Sequence, residues 1–151
     1  MKVNKIMTKT VGFCQAEDDL AKAVEIMREK DCGFVPVVNK KSEVIGIVTD
    51  RDIAIAVFMQ KKTASKISIG DIIDRRIITC SEKDDVEDVL KKMRKHQVKR
   101  LPVIDKKEKL SGIISITDIL LAARKDKSLK KKIFKTLEAI GKPRPIVLKA
   151  V

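Results

Sequence analysis

Apolar positions along this chain recur first at helical spacing and then in short β-branched runs, and that succession is written twice. Leu20, Val24 and Met27 in the first half, and Val86, Val89, Leu90 and Met93 in the second, fall at the i, i+3, i+4, i+7 spacing of one buried helix face. Charged residues fill the other faces. Each helix is preceded by a short extended stretch, Val11 to Cys14 and Ile77 to Cys80, and by acidic residues suited to the positive end of a helix dipole. Two apolar runs follow, Val35 to Val38 and Val44 to Val48, joined by the polar turn Asn39 to Glu43. In the second half the runs are Leu101 to Ile104 and Leu110 to Ile114, joined by Asp105 to Lys109. These read as hairpins. A further helix is predicted after Thr49, with Ile53 and Val57 as apolar positions, and after Ser115, with Ile119, Leu120 and Ala123.

Sliding the chain against itself by 66 residues aligns the halves without a gap. Gly33 to Val38 falls on Lys99 to Ile104, and Gly46 to Ile53 on Gly112 to Ile119; residues 5–57 and 71–123 share 15 identities, which makes two homologous subdomains the simplest account. The expected fold is mixed α/β (α+β), two units of β-α-β-β-α order related by a pseudo-twofold axis. The expected boundaries are 1–60 for the first, 61–70 for a linker, 71–124 for the second and 125–151 for a basic C-terminal helix and tail. Roughly 60 residues is a marginal size for an independent core. The halves are therefore expected to pack on each other, with a ligand crevice on the axis.

Composition narrows the function. Aromatic residues are only 3%, with four Phe and no Trp or Tyr, which weakens any scheme of stacked single-stranded nucleic acid. No apolar run approaches the ~20 residues of a membrane-spanning helix, and no secretory leader pattern opens the sequence. The three cysteines, Cys14, Cys32 and Cys80, form neither a disulfide framework nor a zinc pattern, so a soluble cytoplasmic protein is expected. The formal charge of +13 is uneven, because residues 124–151 hold ten basic side chains against two acidic ones. In this tail Leu129, Ile133, Leu137 and Ile140 line one side of an amphipathic helix that Gly141 and Pro143 end. The apolar side is expected to dock on the module or on a second protomer. An alternative is an accessory protein that binds nucleic acid or another acidic partner through the tail, with strongly salt-dependent affinity.

The repeated x-x-x-Pro-Val-hydrophobic and Gly-hydrophobic-hydrophobic-Thr/Ser-x-x-Asp-Ile segments, each after a β-α unit, resemble the cystathionine β-synthase (CBS) domain, and two in tandem look like a Bateman module. The resemblance covers about residues 3–124. It implies a non-catalytic regulatory unit, usually a homodimer, that binds AMP, ADP, ATP or S-adenosylmethionine in clefts between the subdomains and acts on a regulated protein the sequence does not name.

Thr49-x-x-Asp52 and Ser115-x-x-Asp118 have two compatible readings. A hydroxyl at the N-cap with an acid at N3 is a capping box, which stabilises a helix by about 1 kcal/mol. In the family the same positions match phosphate and ribose contacts, and a carboxylate accepting from a vicinal diol is sound chemistry. By the resemblance, adenine would lie against Gly12, Cys32, Gly33, Phe34 and Pro36 in the first copy, and Ile78, Val98, Lys99, Arg100 and Pro102 in the second. The competing reading makes the aliphatic residues and prolines ordinary core. Lys99 and Arg100, with Arg51, are the candidate phosphate cations, otherwise solvated surface charges; Thr117 stands where Arg51 does. The copies thus predict unequal sites. His96 is the only histidine, which excludes a multi-histidine metal site, and no P-loop or dinucleotide-fold glycine pattern occurs.

Overall fold

The structure is a computed structural model that describes residues 1–144. Helix α1 (Leu20–Lys30) is followed by β1 (Phe34–Val38), β2 (Val44–Thr49) and α2 (Asp50–Gln60). Then come β3 (Cys80–Ser81), α3 (Val86–His96), β4 (Arg100–Ile104), β5 (Leu110–Ser115), α4 (Ile116–Ala123) and α5 (Lys127–Gly141). Short 3-10 turns lie at Val3–Lys5, Ala64–Lys66 and Ile69–Asp71. The mixed α+β order read from the repeat is present, together with the C-terminal helix. Among the described residues no helix is long and apolar enough to cross a membrane.

The chain forms two compact units that do not follow the repeat boundaries. One comprises Val11–Ile77 with Glu108–Leu110; the other comprises Met1–Thr10, Ile78–Lys107 and the residues from Ser111 on.

In the unit of the first repeat, β1 and β2 are antiparallel, in a register that pairs Phe34 with Thr49 and Pro36 with Ile47. The extended stretch before α1 joins them through a single parallel bridge, Cys14 to Val37, and is not a full strand. Asp18 closes the turn into α1 by accepting from the N–H of Gln15 at 2.8 Å, and Asp19 caps the helix by accepting from the N–H of Lys22. Leu20, Ala23, Ile26 and Met27 turn inward onto Val35, Val37, Val48, Ile53, Ile67 and Ile69. Val24, expected on the buried face, is 43% exposed.

The unit of the second repeat orders its strands β3-β4-β5, with β3 parallel to β4 through Cys80 and Val103. Its core joins Val86, Val89, Leu90 and Met93 of α3 to Leu101, Val103, Ile114 and Ile119, and takes Val3 from the chain start. The N–H groups of Val3 and Asn4 donate to the carbonyls of Asp84 and Glu82, and Thr8 bridges Ile113. Helix α5 packs on α3 and α4 through Leu129 and Ile133. Thr136 is fully buried, donating to the Lys132 carbonyl and accepting from Arg94, while Leu137, expected on the docking side, is 43% exposed. The stripe facing the core runs through Leu129, Ile133, Thr136 and the partly buried Ile140; Thr136 can enter this apolar contact because its hydroxyl has two partners, and Leu137, one residue further round the helix, falls outside it. The tail beyond 144 lies outside the described residues.

Candidate functional site

The strand register brings the candidate residues together. Because Phe34 pairs with Thr49, the residue before β1 lies beside the start of α2, and the Asp50 N–H donates to the Gly33 carbonyl at 3.2 Å. The second copy repeats this contact, with the Ile116 N–H donating to the Lys99 carbonyl at 2.9 Å. Each unit thus carries a half-site made of a helix start and the three residues entering the preceding hairpin.

Both helix starts are full capping boxes. Thr49 Oγ1 accepts from the Asp52 N–H at 3.2 Å, and Asp52 Oδ2 accepts from the Thr49 N–H at 3.0 Å and from its hydroxyl at 2.8 Å. Ser115 and Asp118 repeat the pattern, with Asp118 Oδ2 accepting from the Ser115 N–H and hydroxyl, both at 2.7 Å. The capping role is therefore real. It uses one carboxylate oxygen in each copy; Oδ1 of Asp52 and of Asp118 has no hydrogen-bond partner among the described residues. A carboxylate held rigidly by one oxygen and open at the other is suited to accept from a hydroxyl pair.

The other candidates divide by environment. Arg51, Lys99 and Arg100 are exposed cations at the mouths of their half-sites, and Thr117 lies in the first turn of α4. Pro36 and Pro102 are buried within β1 and β4, and Phe34 is buried at the start of β1. Ile78 and Val98 pack against the second core and Cys32 against the first, so packing accounts for part of their apolar character. Gly12 is pressed onto α1: a Cβ there would come within 2.4 Å of Ile26 Cγ2, which makes close approach its reason for being glycine. Two concavities, of about 310 and 460 Å³, lie at the far strand ends around Ala16 and Ile45 and around Glu82 and Ser111, and contain none of the expected ligand residues.

Asp50 is the site residue that sequence reasoning missed. Its Oδ1 accepts from the Arg51 N–H at 2.8 Å, and its carboxylate overlies Gly33, where a Cβ would meet Oδ2 at 2.4 Å. The available signal was the contrast between copies, since Ile116 and Lys99 replace Asp50 and Gly33 together. Cys14 and Cys80, at equivalent places in the two copies, are buried in the cores of their units. Burial pushes the Cys14 thiol up to about 11 and the Cys80 thiol up to about 12, so both are protonated at neutral pH. His96 is exposed at the end of α3.

The CBS domain family matches the chain over residues 3–58 and 69–125. Among curated relatives, the uncharacterized protein MK0525 of Methanopyrus kandleri is 42% identical over 101 residues, covering 65% of this chain and 52% of that protein. The chain therefore spans about half the length of that relative. YlbB of Bacillus subtilis, also uncharacterized, is 34% identical over 122 residues, covering 80% of this chain and 81% of YlbB. Among solved structures, the CBS domain pair of protein MJ0100, in complex with 5′-methylthioadenosine and S-adenosyl-L-methionine, superposes with a TM-score of 0.73 at 28% identity, covering 83% of this chain and 98% of that one.

Proposed function

The chain belongs to the CBS domain family, and on that footing we propose that it is a regulatory module that binds adenosine-containing ligands at the capped starts of α2 and α4. The observation that carries this reading is the open Oδ1 of Asp52 and of Asp118, each fixed by its cap and each unpartnered among the described residues. Oδ1 accepts from the ribose diol. The hairpin entries, Cys32 to Phe34 and Val98 to Arg100, flank the base, and Lys99 and Arg100 meet a phosphate where the ligand has one. The adenosine compounds bound by the MJ0100 pair support this ligand class.

Regulation follows from linkage. A ligand shifts the module toward whichever conformation it binds more tightly, and a protein partner that reads that conformation responds by no more than the same free energy. Calorimetric titration of the full chain with AMP, ADP, ATP and S-adenosylmethionine at near-physiological salt tests the reading. Saturable binding of at least one is expected. Heats indistinguishable from dilution for all four would overturn it.

The module acts as a homodimer in this reading. Ile55, Phe58 and Met59 on α2 and Leu120 and Leu121 on α4 are large apolar side chains left at the surface, with Phe58 78% and Leu121 71% exposed. Sedimentation analysis of Phe58→Asp with Leu121→Asp is expected to give a monomer where the unsubstituted chain gives a dimer. A dimer that survives both substitutions removes these helices from the interface.

A further inference from the structure

The two half-sites share one frame and differ in what stands at the helix start. In α2 the chain itself engages every first-turn N–H: Asp50 N donates to Gly33, Arg51 N to Asp50 Oδ1, and Asp52 N to Thr49 Oγ1. The carboxylate of Asp50 thus occupies the position at which a phosphate would meet the N–H groups and the positive end of the helix dipole. Gly33 is what admits it, since any side chain there would collide with Oδ2. In α4 the equivalent residue is Ile116, which brings no charge, and the Thr117 N–H has no side-chain acceptor among the described residues. Lys99 and Arg100 stand where the first copy has Gly33 and Phe34.

The charges of the two sets decide between ligands. Asp50, Arg51 and Asp52 leave the first half-site with one net negative charge, whereas Lys99, Arg100 and Asp118 leave the second with one net positive charge. Adenosine and its 5′-phosphate offer the same base and diol to both, and differ only in an anion at the 5′ carbon. We infer that Asp50 makes the first half-site selective for adenosine derivatives whose 5′ substituent is uncharged or cationic, such as a thioether or a sulfonium, while the second half-site takes 5′-phosphorylated adenosine. This rests on the reading that each half-site binds adenosine through its Asp. A carboxylate a few ångströms from a phosphate dianion at a solvated surface disfavours it by about tenfold.

The test uses the full chain with one half-site silenced at its ribose contact. In Asp118→Ala, which leaves the first half-site, adenosine and 5′-methylthioadenosine are expected to bind about tenfold more tightly than AMP by calorimetry. Adding Asp50→Asn, which keeps the acceptor for the Arg51 N–H and removes the charge, is expected to raise AMP affinity about tenfold with adenosine nearly unchanged. In Asp52→Ala, which leaves the second half-site, AMP is expected to be preferred over adenosine. Adenosine binding accompanied by an AMP affinity that Asp50→Asn does not move overturns this inference alone. If the unsubstituted chain binds neither compound, the ribose-binding reading falls, and this inference with it.

Discussion

Leu90→Ala is expected to lower the unfolding free energy by about 3 kcal/mol, and Val24→Ala, at the equivalent position of the first repeat, by less than about 1 kcal/mol. The two residues occupy the same place on the same helix of a duplicated unit and differ in what lies over them. Leu90 lies between Glu87 and Arg94 on α3, and these two hold α5 through Lys132 at 2.7 Å and Thr136 at 3.0 Å. Leu90 is fully buried in the core that Leu129 and Ile133 complete. Val24 is 43% exposed, so truncation there removes methyls that are already partly in water. Urea denaturation followed by circular dichroism measures both. Because Leu90 and Ile133 belong to one cluster, the double substitution with Ile133→Ala should cost less than the two single losses added. Equal effects at positions 24 and 90 would mean that α5 does not shield α3 in solution.

Asp118→Ala is expected to weaken nucleotide binding to the second half-site by about a hundredfold while leaving the protein folded. The open Oδ1 loses two charge-assisted hydrogen bonds to the ribose diol, each contributing roughly 1.5 kcal/mol. The same substitution removes the acceptor for the Ser115 N–H, at a stability cost of about 1 kcal/mol. Calorimetric titration reads the first effect and thermal unfolding the second. Unchanged affinity in a folded variant would exclude Asp118 from the site, and global unfolding would assign it to the helix start alone.

Local chemistry was legible in the sequence where one element suffices to express it. The hydroxyl and the acid three residues on, at Thr49 and Asp52 and again at Ser115 and Asp118, announced helix starts because a capping box is closed within four residues. Duplication made the strand and helix order readable twice. What escaped depends on contacts between elements. Val24 has the right spacing for a buried face, but burial there requires a covering α-helix, and among the described residues only the second repeat is followed by one that docks on it. Leu137 is an apolar residue on an apolar-looking side; the contact is filled by Thr136, whose hydroxyl is satisfied by Lys132 and Arg94. Asp50 carries no signal of its own within the capping motif, because its place in the site depends on the β1–β2 register that sets Gly33 beneath it.

The allocation of residues 1–10 to the second unit fixes an order of events during synthesis. The segment carrying Val3 is made well before its partners, since Asp84, Glu82 and Ile113 emerge only after the first repeat is complete. Until then it is unpaired, and closing loops of about 80 to 105 residues belongs to the late, slow part of folding. The first-repeat unit can assemble on the ribosome almost in full, wanting only Glu108–Leu110. A gene divided at the linker would therefore not yield two equal halves: the downstream piece would be made without Val3, a buried member of its own core.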